Sequence, residues 1–114
     1  MEVLKTKYVI WAADATRALQ FYRDAFDGDI TLETPYWNEV VVAGSIIGVH
    51  PGGEGKRTWT GLSFQVADVL KGVDAVKAAG GDLLKEPQEE DGLIHLAMCV
   101  DPEGNEFMLT AARE

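Results

Sequence analysis

The chain has 114 residues, 46% of them apolar, and a formal charge of −9 from 19 acidic and 10 basic side chains. That length suits one compact domain with an ordinary core, and the acidic balance lacks the electrostatic footprint for duplex nucleic acid or anionic lipid. Cys99 is the only cysteine, which excludes an internal disulfide and a CxxC-type metal site; with no apolar leader-like run and none near the ~20 residues of a membrane span, a cytoplasmic protein is expected.

Thr6 to Ala12 is apolar and rich in aromatic and β-branched residues, which predicts a strand. Asp14 or Thr16 can cap the helix that follows. Ala18, Leu19, Phe21, Tyr22, Ala25 and Phe26 recur at helical spacing, and Gly28 is placed to end it. Ile30 to Thr34 predicts a short strand closed by Pro35. Trp37 to Ala43 and Ser45 to His50 predict two strands joined tightly at Gly44. The glycine-rich run Pro51 to Arg57 is the natural linker, about residues 51–58.

The pattern then repeats. Thr60 to Val66 reads as a strand, and Val69 to Ala79 as a helix ending at Gly80-Gly81. Asp82 to Glu86 reads as a short strand before Pro87, and Gln88 to Gly92 as a polar loop. Leu93 to Val100 and Glu106 to Ala111 form a final hairpin around Asp101-Pro102-Glu103-Gly104-Asn105. Pro102 fixes φ at one corner of that turn, and Gly104 or Asn105 supplies the positive φ of the other.

Both halves therefore read βαβββ, with module 1 at about residues 1–52 and module 2 at about 59–114 of a single domain. Residues repeat as well as pattern. Ala13-Asp14 matches Ala67-Asp68, Asp27-Gly28-Asp29 matches Gly80-Gly81-Asp82, and Pro35 matches Pro87. Neither half buries enough surface alone, so the two are expected to share one core or cavity.

This duplicated unit resembles the vicinal oxygen chelate superfamily, which includes glyoxalase I, bleomycin-resistance proteins and extradiol dioxygenases. The resemblance rests on the Phe21-Tyr22-Arg23-Asp24-Ala25-Phe26-x-Gly28 helix end, on Ala79-Gly80-Gly81 and on Asp101 to Asn105. It implies an α+β fold in which two βαβββ modules form a curved mixed sheet around a concave cavity, with helices outside. It also implies a homodimer.

Strand alternation assigns the faces. Tyr8 and Ile10 oppose Lys7, Val9 and Trp11. Leu62, Phe64 and Val66 oppose Gly61, Ser63 and Gln65. Phe107 and Leu109 oppose Glu106, Met108 and Thr110. The bulky sets should meet the helices, leaving the mixed sets for the cavity. His95, with Ala97 and Cys99, is expected on the cavity side. The expected ligand-binding residues are thus Lys7, Trp11, Gln65, His95, Glu106 and Met108.

Enzymes of the resembled superfamily hold a divalent metal on this surface through His, Glu or Gln, leaving positions open for substrate oxygens. Carried over by spacing from Asp14, Asp68, Gly104 and Gly44, those positions hold Lys7, Gly61, Met108 and Gly48. An ammonium cannot coordinate, glycine has no side chain, and a thioether suits hard cations poorly. No metal cofactor is therefore expected. His50, His95 and Glu106 form the alternative ligand set, although each also reads as an ordinary solvated or hydrogen-bonded side chain. A Ser63 or Cys99 nucleophile would need His95 as its base. Gly52 to Lys56 lacks the Gly-Lys-Ser/Thr ending and the following helix of a phosphate loop.

These readings favour a small-molecule binder of the bleomycin-resistance type. Lys7 and Glu106 would fix a polar ligand by charge, Trp11 and Met108 would supply apolar contact, and the net charge favours a cation. The alternative is a glyoxalase-like lyase or isomerase with a divergent metal site. The catalytic residues and the ligand are not fixed by the sequence.

Overall fold

The computed structural model describes residues 1–112. Among them are two helices and nine strands in two mixed sheets, an α+β arrangement of two βαβββ modules. Module 1 comprises β1 (Lys7–Ala12), α1 (Ala15–Phe26), β2 (Asp29–Glu33), β3 (Asn38–Val42) and β4 (Ser45–Pro51). Module 2 comprises β5 (Thr58–Val66), α2 (Val69–Ala78), β6 (Asp82–Leu83), β7 (Gln88–Glu90), β8 (Leu93–Val100) and β9 (Asn105–Ala111). The sheet orders are β1-β4-β3-β2 and β5-β9-β8-β6, with β7 also paired to β8. The mixed sheet system expected of the two modules consists of two sheets, with β1 at the edge of one and β5 at the edge of the other.

The internal repeat is built by the same local chemistry twice. Asp14 caps α1 by accepting the Arg17 N–H at 3.1 Å, and Asp68 caps α2 by accepting the Lys71 N–H at 3.1 Å. Both helices bury an apolar stripe, Ala18, Leu19, Phe21 and Tyr22 on α1 and Val69, Val73 and Val76 on α2. The end of α1 differs from expectation. Asp27, not Gly28, takes the left-handed conformation, at φ 53°. Gly28 is required for space instead, since a Cβ there would lie 2.9 Å from Tyr22 O and from Val40 Cγ2.

The core is an aromatic seam between the modules. Phe26 of α1 stacks on Phe64 of β5 at 3.9 Å, and Phe107 of β9 stands edge-on to Phe64 at 5.7 Å. Phe21 packs on Phe107 at 5.9 Å. Helix α1 therefore covers strands of the second sheet as well as its own.

Sequence reading missed β7. Gln88 to Glu90 is exposed and carries no apolar alternation, yet its backbone pairs with β8. The signal was Asp91-Gly92, whose φ angles of 52° and 78° fit the type I′ hairpin turn that this dipeptide favours. The predicted strand from Asp82 to Glu86 correspondingly shrinks to Asp82–Leu83.

The turn between β8 and β9 clasps the modules together. Asp101 Oδ1 accepts the N–H groups of Glu103 and Asn105 at 2.8 and 3.0 Å. Its Oδ2 accepts the Tyr22 hydroxyl at 2.7 Å and Asn105 Nδ2 at 3.0 Å. The Glu103 carboxylate accepts the Asp14 N–H at 2.5 Å and Arg17 Nη2 at 2.8 Å. Asn105 Nδ2 also donates to Trp11 O at 2.9 Å. Gly104 has φ 89° and packs so closely on the linker that a Cβ would sit 2.5 Å from Lys56 O. Asp101, Glu103 and Asn105 are all buried, as such a clasp demands.

Candidate functional site: the open faces of the two sheets

Each sheet has one face against the helices and one open face. Register assigns residues to them without ambiguity, because partners directly opposite share a face. On the first sheet, Lys7, Val9 and Trp11 lie opposite Ile46, Gly48 and His50 of β4, and Glu39 of β3 lies opposite Gly48. On the second, Trp59, Ser63 and Gln65 lie opposite Glu106, Met108 and Thr110, and Met98 lies opposite Met108.

The first open face carries a compact polar–aromatic cluster. Thr34 begins it. Its hydroxyl oxygen accepts the N–H groups of Tyr36 and Trp37 at 3.2 and 2.9 Å, which tightens the turn ahead of β3. That turn lays the Trp37 indole over Gly48, where a Cβ would come within 2.4 Å of Trp37 Cζ2. Trp37 Nε1 donates to Glu39 Oε2 at 2.6 Å, and Lys7 Nζ reaches the same oxygen at 2.5 Å. Lys7 Nζ lies 5.8 Å from the Trp37 ring centroid, within cation–π range. The Lys7 and Trp37 hydrogen bonds hold the Glu39 carboxyl below the usual carboxylate range. Beside this cluster His50 stacks on Trp11, with ring centroids 3.9 Å apart and planes at 22°, and stands edge-on to Trp37 at 5.9 Å.

Trp11 also lines an open cleft of about 540 Å³ between β1 and β5. Trp59 lines the same cleft, and both residues are 52% exposed, unusual for the largest apolar side chain. The linker Gly52 to Lys56 forms the rim.

The six residues expected to bind ligand do not line one cavity. Trp11 lines this cleft, Gln65 lines a crevice of about 610 Å³ beside Phe26 and Phe64, and His95 lines a third of about 460 Å³ near Glu90. Lys7 and Glu106 lie on open faces as expected, but each charge already has a protein partner. Lys7 is paired with Glu39, and Glu106 with Arg57 at 3.4 Å. Met108 stands between Met98 and Ser63.

The expected face of His95 is wrong. It shares a face with Ala97 and Cys99, which lie opposite Leu109 and Phe107, and all four of those are buried on the helix side. The error arose because Leu96 and Met98 are the bulkier alternates, yet here the smaller Ala97 and Cys99 make room for α2. His95 Nδ1 is buried without a hydrogen-bond partner, and Nε2 lies 3.8 Å from Glu90 Oε2. Burial pushes the Cys99 thiol up to about 11, which makes it a poor nucleophile at neutral pH. Cys99 and His95 are four residues apart on one strand, roughly 13 Å, and Ser63 is on the other side of the sheet from His95. Neither forms a nucleophile–base pair. Glu39 is the site residue that sequence reasoning passed over; Trp37 and Trp59 read in the sequence as large apolar side chains suited to a pocket wall or, more simply, to core packing. The alternation of Glu39 and Val41 against the buried Asn38, Val40 and Val42 was the available signal for Glu39.

The residues present fit the superfamily's divalent metal poorly. Of the four corresponding positions, Lys7 is bound to Glu39, Gly48 lies under an indole, and Met108 offers only a thioether. Gly61 has φ 75° within a register shift of β5, a conformation that strains any ligating side chain put there. The alternative set is scattered, with His50 on the first sheet, Glu106 on the open face of the second and His95 behind it. No group of three or more His, Cys, Asp or Glu suited to a metal occurs among the described residues.

Comparison with known proteins agrees with this architecture. A glyoxalase/bleomycin resistance protein/dioxygenase family enzyme from Burkholderia phytofirmans PsJN is 24% identical and superposes with a TM-score of 0.74, over 92% of this chain and 95% of that one. The fosfomycin resistance protein FosX from Listeria monocytogenes is 18% identical with a TM-score of 0.80, over 99% and 96%. FosX from Mesorhizobium loti is 15% identical with a TM-score of 0.76, over 99% and 95%. No curated protein matches the chain. Among the described residues no helix is long and apolar enough to cross a membrane. Residues 7–110 match the glyoxalase-like domain, and with this fold the chain belongs to that family, within the vicinal oxygen chelate superfamily.

Proposed function

We propose that the protein is a cytoplasmic small-molecule binder of the bleomycin-resistance type, working without the superfamily's metal centre. The observation that carries this reading is the pair of half-exposed tryptophans, Trp11 and Trp59, in one open cleft. An exposed indole offers a large, rigid apolar surface with little side-chain freedom to lose on binding. Around it the charged groups are already compensated, Lys7 by Glu39, Lys56 by Glu54 and Glu106 by Arg57. Ligand affinity then rests on aromatic contact more than on charge. A thermal-shift screen of small aromatic ligands, followed by fluorescence titration, tests the reading. Ligands that bind the wild type should weaken about tenfold or more in Trp11→Ala, the order expected for truncating an aromatic anchor. Binding unaffected by that substitution, or no binding across the screen, would remove it.

The second reading is a glyoxalase-like lyase or isomerase with a divergent metal site. It is favoured by likeness to FosX of Listeria monocytogenes, one structure of which contains Mn(II) and sulfate. Stoichiometric metal binding by this chain would promote it over the first.

A further inference from the structure

Met1 to Thr6 precede β1 and belong to no helix or strand, and all six are exposed. Val3 and Leu4 are 68% and 84% exposed, so neither has a layer of its own fold to pack on. β1 runs parallel to β4 with Lys7 opposite Ile46, and Lys5 and Thr6 lie against Gly44, Ser45 and Ile46. Ser45 is the first residue of β4, so the residues before Lys5 run off the end of the first sheet, past the β3–β4 turn.

The crevice of about 610 Å³ beside Phe26 has the opposite deficit. Leu62, Ser63, Phe64, Gln65 and Val66 of β5 all line it. Successive side chains of a strand point to opposite faces, so a cavity that touches five in a row runs along the strand's edge. That edge is open, since β5 pairs with β9 alone among the described residues. One of its N–H groups, that of Leu62, is accepted by Thr60 Oγ1 at 3.0 Å. The five residues include no charge and no proline, the usual protections of an exposed edge. Leu62, Phe64 and Val66 are only partly buried, as is Phe26.

We infer that this crevice seats the Met1–Thr6 arm of a second copy of the chain. The arm lies along β5 as an added strand, its backbone bonded to the open edge and Leu4 set into the apolar crevice. Six extended residues span about 20 Å and the five of the edge about 17 Å, so the arm is long enough to follow it. Two-fold symmetry lets each copy give one arm and receive one, which closes the contact at a dimer. Charge favours this contact over others between two chains of −9 each. The arm carries one charge of each sign, Glu2 and Lys5, and the edge carries none, so the surfaces that meet do not repel. The inference is independent of the small-molecule reading, which uses the Trp11–Trp59 cleft.

The test has two parts. Sedimentation over a range of concentrations should give a dimer for the full chain. Removal of residues 1–5 should give a monomer with an unchanged far-ultraviolet circular dichroism spectrum. Leu4→Asp in the full chain should weaken the dimer about tenfold or more, the scale of one buried leucine. Cross-linking then locates the seat. Chains carrying Leu4→Cys are mixed with chains carrying Gln65→Cys and oxidised; the native Cys99 is buried and takes no part. A disulfide between the two introduced cysteines, identified by mass spectrometry, can only join two chains, and it is the expected product. A wild type that stays monomeric at every concentration would overturn the inference, as would a dimer that survives loss of residues 1–5. So would a disulfide that forms within one doubly substituted chain and never between the mixed chains, because the arm would then fold back on its own crevice.

Discussion

Glu39 governs the electrostatics of the first open face, and Lys7 shows why side-chain roles are hard to read from spacing. Lys7 was expected to greet a ligand by charge, but β3 brings Glu39 to within 2.5 Å of it. Strand alternation assigns faces correctly for Lys7, Trp11, Gln65, Glu106 and Met108, yet it is silent on which cross-strand partner neutralises a charge. The pairing has a testable pH signature. Hydrogen bonds from Lys7 and Trp37 lower the Glu39 pKa in the folded state. The unfolded chain therefore binds that proton more tightly, so the stabilisation is full above the ordinary carboxylate range and is lost as pH falls through the lowered folded value. Urea unfolding at stepped pH should show wild type more stable than Glu39→Gln at neutral pH, with the gap narrowing toward the acid end. A gap that does not change with pH would contradict the pairing.

Among the elements, the β8–β9 turn was the one whose sequence said most about fold and least about function. Its residues predict the reversal correctly, with Gly104 at φ 89°. What they could not reveal is that Asp101, Glu103 and Asn105 reach across to Tyr22, Asp14 and Trp11, residues 79, 89 and 94 positions away in the chain. Long-range polar pairing leaves no periodic trace in a single sequence, whereas helix caps and hairpin turns are local. Tyr22→Phe removes the hydroxyl that Asp101 accepts while keeping the ring in the aromatic seam. It should cost about 1–3 kcal/mol in urea unfolding, the range for leaving a buried polar group without its partner. A cost below about 0.5 kcal/mol, typical of an indifferent surface site, would show that the clasp contributes little.

At the scale of the whole molecule, duplication explains both what was readable and what was not. Two βαβββ units with matched caps and glycines gave the α+β architecture, because each repeat reports the other. The split into two sheets, with β1 and β5 at their edges and the Trp11–Trp59 cleft between them, depends on how the units dock through Phe26, Phe64 and Phe107. The positions that correspond by spacing to the superfamily's ligands fall on both sheets, Lys7 and Gly48 on the first and Gly61 and Met108 on the second. We propose that the cleft holding Trp11 and Trp59 binds small molecules without a divalent metal. Isothermal titration of metal-free protein with Mn(II), Zn(II) and Ni(II) tests it most directly. No stoichiometric binding of any of the three is expected; one metal per chain, lost in His50→Ala, would contradict a metal-free site.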